Sequence, residues 1–352
     1  MTNGARNRCT WNLMKTLLLG FAFGAQCHGA AIGNGTPGVA VERGLQFLQK
    51  EAFAWKETHS CAACHHATTM LWTFNEAKAA GYHVDEPALK AVSEWALGDM
   101  KTNSLTPEAP PRDVVNLGWV YVLLSMETAP GFAAGASAGA PNLPVATAVG
   151  GTNEDLIPAA RRVLIQQIIA KQSTDGSWGK PLDERVPLGG PIEDIAILCR
   201  LALLQTGEKS PSVTTCIEKA AQWLAANADK TSRQGRNFRL LMNLREGKPA
   251  QELKPVIETV IAEQNVDGGW SQTPELASDA YATGQTLYVL ARASVKPETA
   301  AMRRGVEFLA RTQREDGSWP MLSRVHAKNI NPITGAGTAW AVLGLIRASP
   351  GP

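Results

Sequence analysis

The sequence predicts an all-α protein of paired helices closed into an (α/α)6 toroid. Three observations predict it. A Gln, Asp-Gly, Trp pattern occurs three times at fixed spacing: Gln172-Ser-Thr-Asp-Gly-Ser-Trp178, Gln264-Asn-Val-Asp-Gly-Gly-Trp270 and Gln313-Arg-Glu-Asp-Gly-Ser-Trp319. An amphipathic segment precedes each copy, with apolar residues at helical spacing. A more uniformly apolar segment follows each copy, as expected of a buried helix. The repeating unit is therefore an amphipathic outer helix, a turn and a buried inner helix.

Each element follows from its residues. Val163, Leu164, Ile168 and Ile169 form one face before the first copy, and Val306, Leu309 and Ala310 do so before the third. Asp-Gly supplies the positive-φ turn that stops a helix, Trp covers the turn, and Gln can bond the groups it leaves exposed. A worn copy, Gln49 to Trp55, keeps Gln and Trp but lacks Asp-Gly. Six units result. Outer helices are expected over 38–52, 86–101, 155–172, 212–227, 251–264 and 298–312, and inner helices over 62–80, 113–127, 192–206, 234–246, 279–294 and 334–348. Closing the six pairs removes exposed ends; an open solenoid is the alternative and would want polar capping repeats, which the sequence lacks.

The 352 residues are 44% hydrophobic and 19% charged, with a net charge of +2. This excludes a disordered chain and gives no basic face for nucleic acid. Residues 1–30 read as an export signal: Arg6, Arg8 and Lys15 precede the apolar run Leu17 to Ala25, and small residues follow at Gly29, Ala30 and Ala31. The run is too short for a permanent membrane span. Its removal leaves a charge of −1 and a single domain, 31–352, expected to be periplasmic or secreted. The Gly-, Ala- and Pro-rich stretch 128–153 reads as a surface loop.

Ser60-Cys61-Ala-Ala-Cys64-His65-His66 contains C-x-x-C-H, the attachment sequence of a c-type haem. Two thiols one helical turn apart add to the vinyl groups, and the adjacent His65 becomes the proximal iron ligand. Bacterial export is the setting in which this chemistry occurs. Two alternatives stand beside it: a redox dithiol or disulfide, or zinc held by Cys61 and Cys64 with His59, His65 or His66. Closure of the ring would bring the segment 320–333 beside the motif, which makes His326 and Met321 candidates for the second axial position. Cys199, midway along an inner helix, and Cys216, on an outer one, read as free buried thiols, with a disulfide as the alternative.

The three Gln-to-Trp copies resemble those of the squalene–hopene cyclase and protein prenyltransferase superfamily, over about residues 38–348. The resemblance implies a terpenoid-cyclase-like barrel with a central apolar cavity and an active site toward the starts of the inner helices. Triterpene cyclases are about twice this length and carry an Asp-x-Asp-Asp-Thr-Ala acid motif. The matching place here reads Ser278-Asp279-Ala280-Tyr281-Ala282-Thr283, which keeps Asp279 alone of the acid cluster. Prenyltransferases and lanthionine cyclases of related architecture hold zinc with Cys and His, but on cytosolic substrates.

Asp113, Asp194, Asp279 and Arg236 stand at inner-helix starts and should face one mouth, with Arg112 and Tyr281 near the same rim. Asp at such a position is commonly an N-cap. Three functions follow. The first is an exported c-type haem protein with a redox role, either electron transfer with a periplasmic partner or oxidation of an apolar ligand. The second is a small terpene-cyclase-like enzyme on an isoprenoid, with Asp279 as general acid and Trp72, Trp119, Tyr281 and Trp340 lining a cavity or simply packing the core. The third is a binding or scaffold protein.

Overall fold

A computed structural model describes residues 36–58, 67–104, 115–126, 156–179, 190–227, 231–321, 331–349 and 351. The signal segment, the C-x-x-C-H motif with its flanking His59 and His66, Arg112, Asp113, the 128–153 stretch and His326 lie outside these residues. The outer helices are α1 (Pro37–Thr58), α3 (Glu86–Ser104), α5 (Leu156–Ala170), α7 (Pro211–Ala226), α9 (Ala250–Ala262) and α11 (Ala300–Thr312). The inner helices are α2 (Ala67–Ala79), α4 (Leu117–Met126), α6 (Ile192–Gln205), α8 (Arg233–Arg245), α10 (Ala280–Arg292) and α12 (Asn331–Ala348). All twelve segments expected from periodicity are present. Among the described residues the only strand-like pairing is an isolated bridge between Trp270 and Asp279.

Burial separates the two classes. In α7 only Val213, Cys216, Ala220 and Leu224 are buried, a single stripe at three- and four-residue spacing. In α6 every residue from Glu193 to Leu203 is buried, and in α10 every residue from Ala280 to Leu290. Inner helices pack in the order α2, α4, α6, α8, α10, α12, and α12 packs on α2. The ring is closed, and the open solenoid is excluded.

The Gln-to-Trp repeat is the joint between units. At the end of α11, Gln313 Nε2 donates to Gly317 O (3.0 Å) within its own turn and to Ala40 O (2.8 Å) on α1. Gln172 bridges Gly176 O and Cys216 O in the same way, and Gln264 bridges Gly268 O and Ala301 O. Each Trp indole donates back to its own outer helix: Trp178 to Ile168 O, Trp270 to Val260 O and Trp319 to Leu309 O, at 2.7–2.9 Å. Gly176, Gly268 and Gly317 all have φ near +90°. A methyl group on Gly268 would lie 2.7 Å from Arg304 O on the next outer helix, so glycine meets both the turn and the close approach. The worn copy behaves as its residues dictate. Without Asp-Gly, α1 runs on to Thr58, yet Gln49 still reaches Asp85, just before α3 (3.1 Å). Gln313→Ala removes two buried bonds at the closure. It is expected to cost about 2 kcal/mol, read as a lower guanidinium midpoint.

The middle of the ring is filled. Trp340 of α12 meets Trp72 of α2, Phe238 of α8, and Tyr281 and Tyr288 of α10, with ring centroids 5.3–6.1 Å apart. Trp72 also touches Tyr121 of α4. Phe238 and Trp340 come from helices that are not neighbours in the ring, so these side chains span its centre. This corrects the central apolar cavity implied by the resemblance: among the described residues aromatic rings occupy that place. Trp119 is only half-buried, at the edge of the core.

Cys199 and Cys216 are free and buried, not bonded to each other. Burial, and then the neighbouring Cys216, push the Cys199 thiol up; burial pushes Cys216 up to about 12. The fold keeps both neutral, so their contribution to stability is complete below pH 9 and is lost as pH rises toward 12. Cys216→Ala is expected to flatten the fall in unfolding midpoint between about pH 9 and 11.

Candidate functional site

The starts of α6, α8 and α10 meet at one mouth, and the side chains there are polar although α6 and α10 are buried along most of their length. Pro191 is the N-cap of α6, so Asp194 lies in the first turn instead of capping it. It is 2% exposed and accepts from Ser232 Oγ at 2.5 Å. Ser232 is itself the N-cap of α8 and accepts from Gly235 N at 3.0 Å. A methyl group on Gly235 would collide with Asp194 Oδ1, so the glycine makes room for the carboxylate. The charge of Asp194 is felt nearby. Burial raises the Tyr121 hydroxyl, the neighbouring Tyr281 side chain opposes this, and Asp194 adds to the rise. Burial lowers the Arg239 guanidinium, with Asp194 opposing.

Asp279 is the N-cap of α10. Its Oδ1 accepts from Ala282 N and its Oδ2 from Gln272 Nε2, both at 2.8 Å. The structure thus gives Asp279 the cap role and Asp194 an interhelical one. Asn has the same capping preference as Asp. Asp279→Asn keeps the cap but sets an NH2 against Gln272 Nε2, so it is expected to cost about 1 kcal/mol by thermal unfolding, small enough to leave a folded chain in which any proton donation from this carboxylate can be tested.

Between α8 and α10 lies a narrow cleft, open to solvent at its mouth, whose interior has room for about one water. Arg233, Gln234 and Asn237 line one side, and Tyr281, Gln285 and Thr286 the other, with Glu263, Ser271 and Gln272 at the rim. Arg236 pairs with Glu263, and Arg233 Nε lies 3.6 Å from the same oxygen. Arg233 also donates to Ser271 Oγ (2.7 Å), and Tyr281 OH donates to Gln234 Oε1 (2.7 Å). Of the residues anticipated for the mouth, the structure brings together Asp194, Arg236, Asp279 and Tyr281. Met321 is 4% exposed, its sulfur seated against Gly337 of α12.

The carboxamides of Gln272, Gln285 and Asn237 were missed in the sequence. The signal was partial: Gln285 interrupts a run that otherwise reads as buried helix, where a polar residue needs partners, whereas Asn237 sits among Arg233, Gln234 and Arg236 and does not stand out. Among the described residues no three His, Cys, Asp or Glu side chains form a metal-ligating group.

Residues 226–351 match the family described as squalene-hopene cyclase C-terminal domain. No curated protein matches the chain. Among solved structures, a glycosidase in complex with glucose superposes with a TM-score of 0.55 at 13% identity, covering 88% of this chain and 99% of that chain. A glycosyl hydrolase family 88 protein from Bacteroides vulgatus gives 0.53 at 10%, covering 88% and 99%. A variant of a type II terpene cyclase from Scytonema, in complex with geranylgeranyl dihydroxybenzoate, gives 0.52 at 11%, covering 89% and 97%. At these identities the likenesses show the fold. The chain is thus an α/α toroid whose residues 226–351 match the squalene-hopene cyclase C-terminal domain family.

Proposed function

We propose that this protein is exported and carries one covalent haem c on a squalene-cyclase-like toroid, where it serves in redox chemistry. The observation that carries the reading is the spacing Cys61-x-x-Cys64-His65, preceded by the export-like segment 1–30. Cys61 and Cys64 would hold the porphyrin through thioethers and His65 the iron. The donor set suits haem c, and the filled centre of the ring leaves the outer faces of the toroid for a flat macrocycle. Of the two candidates for the second axial position, the burial of Met321 against Gly337 favours His326. When bound, the group would supply one-electron exchange. The chain's own part would be to hold it for a periplasmic redox partner. Zinc at Cys61, Cys64 and His65 is the competing occupant.

The test is the full chain expressed in a bacterium with periplasmic c-type maturation. A haem-sized increment in intact mass and a c-type α-band on reduction are expected, both lost in Cys61→Ser/Cys64→Ser. A chain of unmodified mass with no α-band overturns the proposal, and one zinc per chain in its place assigns the motif to the competitor.

A second reading has its own support, the family match over the residues containing Asp279 and a structural neighbour whose bound substrate is isoprenoid. In it the toroid acts on an apolar isoprenoid with Asp279 as proton donor, and Asp194 or Asp113 assisting. Its requirement is a cavity where Trp340, Trp72 and Tyr281 now pack. Turnover of an isoprenoid that Asp279→Asn abolishes would establish it; turnover unaffected by the substitution removes Asp279 from the chemistry. A purely binding or scaffold role is distinguished by haem without turnover or electron exchange.

A further inference from the structure

We propose that the aromatic centre of the ring is a one-electron relay that ends at Tyr288, where Glu76 takes the phenol proton, so that the chain can hold one oxidising equivalent as a buried tyrosyl radical. Trp and Tyr are the ring side chains that give up an electron most readily, and the array is made of them. Trp72 and Trp340 have ring centroids 5.3 Å apart, and Tyr288 lies 5.7 Å from the first and 5.9 Å from the second. At these spacings the rings are in edge contact, so an electron crosses between them without a saturated gap. All three side chains are buried.

The proton partners decide where the oxidation stops. The indole N–H groups of Trp72 and Trp340 are buried and meet no acceptor among the described residues. An oxidised indole there keeps its proton, remains a strong oxidant and draws an electron from its neighbour. Tyr288 OH donates to Glu76 Oε1 at 2.6 Å, and Glu76 is fully buried. Burial, and then the Glu76 charge, push the Tyr288 hydroxyl up, so the phenol keeps its proton at rest. Loss of an electron turns the phenol into a strong acid, and its proton passes along that bond to the carboxylate. The products are a neutral tyrosyl radical and the Glu76 acid beside Arg347 and Arg292. Return of the electron returns the proton to Tyr288 and restores the Glu76–Arg347 pair. Tyr281 also touches Trp340, at 6.1 Å, but it donates to Gln234 Oε1, and a carboxamide is no base for a phenol proton. The oxidation therefore comes to rest on Tyr288.

The inference rests on the haem reading for its natural oxidant. Residues 61–65 lie just before α2, and α2 carries Trp72. A peroxide reduced at the iron takes up two electrons and two protons and leaves as water. The relay supplies one electron, the haem the other, and solvent both protons.

The test is flash photo-oxidation of the full chain, as isolated, by tris(bipyridine)ruthenium with a cobalt(III) ammine as electron sink, read by freeze-quench electron paramagnetic resonance. The oxidant comes from outside, so failure here leaves the haem reading standing, and a chain without haem still tests the relay. A neutral tyrosyl signal is expected, lost in Tyr288→Phe and kept in Tyr281→Phe. Glu76→Gln, which can accept the hydrogen bond but takes no proton, should lower its yield about tenfold or more. If Tyr288→Phe does not fold, Glu76→Gln decides alone. No tyrosyl signal in the parent chain, a signal undiminished in Tyr288→Phe or Glu76→Gln, or one lost in Tyr281→Phe overturns the proposal.

Discussion

Replacing Trp340 by Ala is expected to lower stability by about 4 kcal/mol, the range for deleting a fully buried aromatic side chain. The site cannot collapse to make good the loss. Trp340 is 0% exposed, and its ring is shared by Trp72, Phe238, Tyr281 and Tyr288, which come from three separate helices. Its own backbone is pinned as well: a methyl group at Gly284 would collide with the Trp340 carbonyl, so α10 and α12 already touch main chain to main chain. For a chain of this length the melting entropy is on the order of 0.7 kcal/mol/K, which places the expected fall in Tm near 6 °C. Trp340→Phe should cost less than half as much, because one ring still spans the centre. A fall in Tm of only a degree or two for Trp340→Ala, by calorimetry, would show that the aromatic cluster is not the core of the ring.

Glu76→Leu is expected to cost about 3 kcal/mol for a different reason. Glu76 is fully buried on α2 and stands at the other end of the ring, where α10 and α12 finish. It accepts from Tyr288 OH at 2.6 Å, pairs with Arg347 and lies 3.9 Å from Arg292. Removing one partner of a buried ion pair leaves the others uncompensated, typically at 3–5 kcal/mol. The lower end applies here, because the Arg347 side chain is 29% exposed and water screens part of its charge. Burial, and then the Glu76 charge, push the Tyr288 hydroxyl up. Burial works against the charge of Arg347, and Glu76 and Tyr288 outweigh it. Because Tyr288 is held neutral, its contribution is present in full below about pH 10 and fades above that. Glu76→Gln should cost less than Glu76→Leu, since the amide oxygen can still accept from Tyr288. Equal losses for the two, measured by guanidinium unfolding at pH 7, would mean that charge alone matters.

The helical pairs were legible because burial imposes period 3.6 on outer helices and uniform apolarity on inner ones, and both patterns are local. The turns were legible for the same reason: Gly317 must have positive φ whatever surrounds it. The second bond of Gln313, to Ala40, was not, because it joins residues 273 apart. The same holds for Glu76, whose partners come from α10 and α12, and for the cleft, where Asn237 and Gln285 meet across two helices. A polar residue inside an apolar run announces that a partner exists without naming it. The mouth was legible in outline, since Asp194, Arg236, Asp279 and Tyr281 do converge there. Their roles were not, since capping and interhelical bonding depend on which backbone amide lies within reach.

The clasp of Gln313 on Ala40 and the bonds from Arg43 to the carbonyls of Arg314 and Glu315 bind α1 to the turn that ends α11. The hairpin of α1 and α2 thus leaves the ribosome with its seat unfilled, because its partner at Gln313 lies 273 residues further on. Such a ring cannot close piecemeal from α1; closure waits for α11 and α12 to be made, and a copy lacking them would be left as an unlatched arc with two sticky edges.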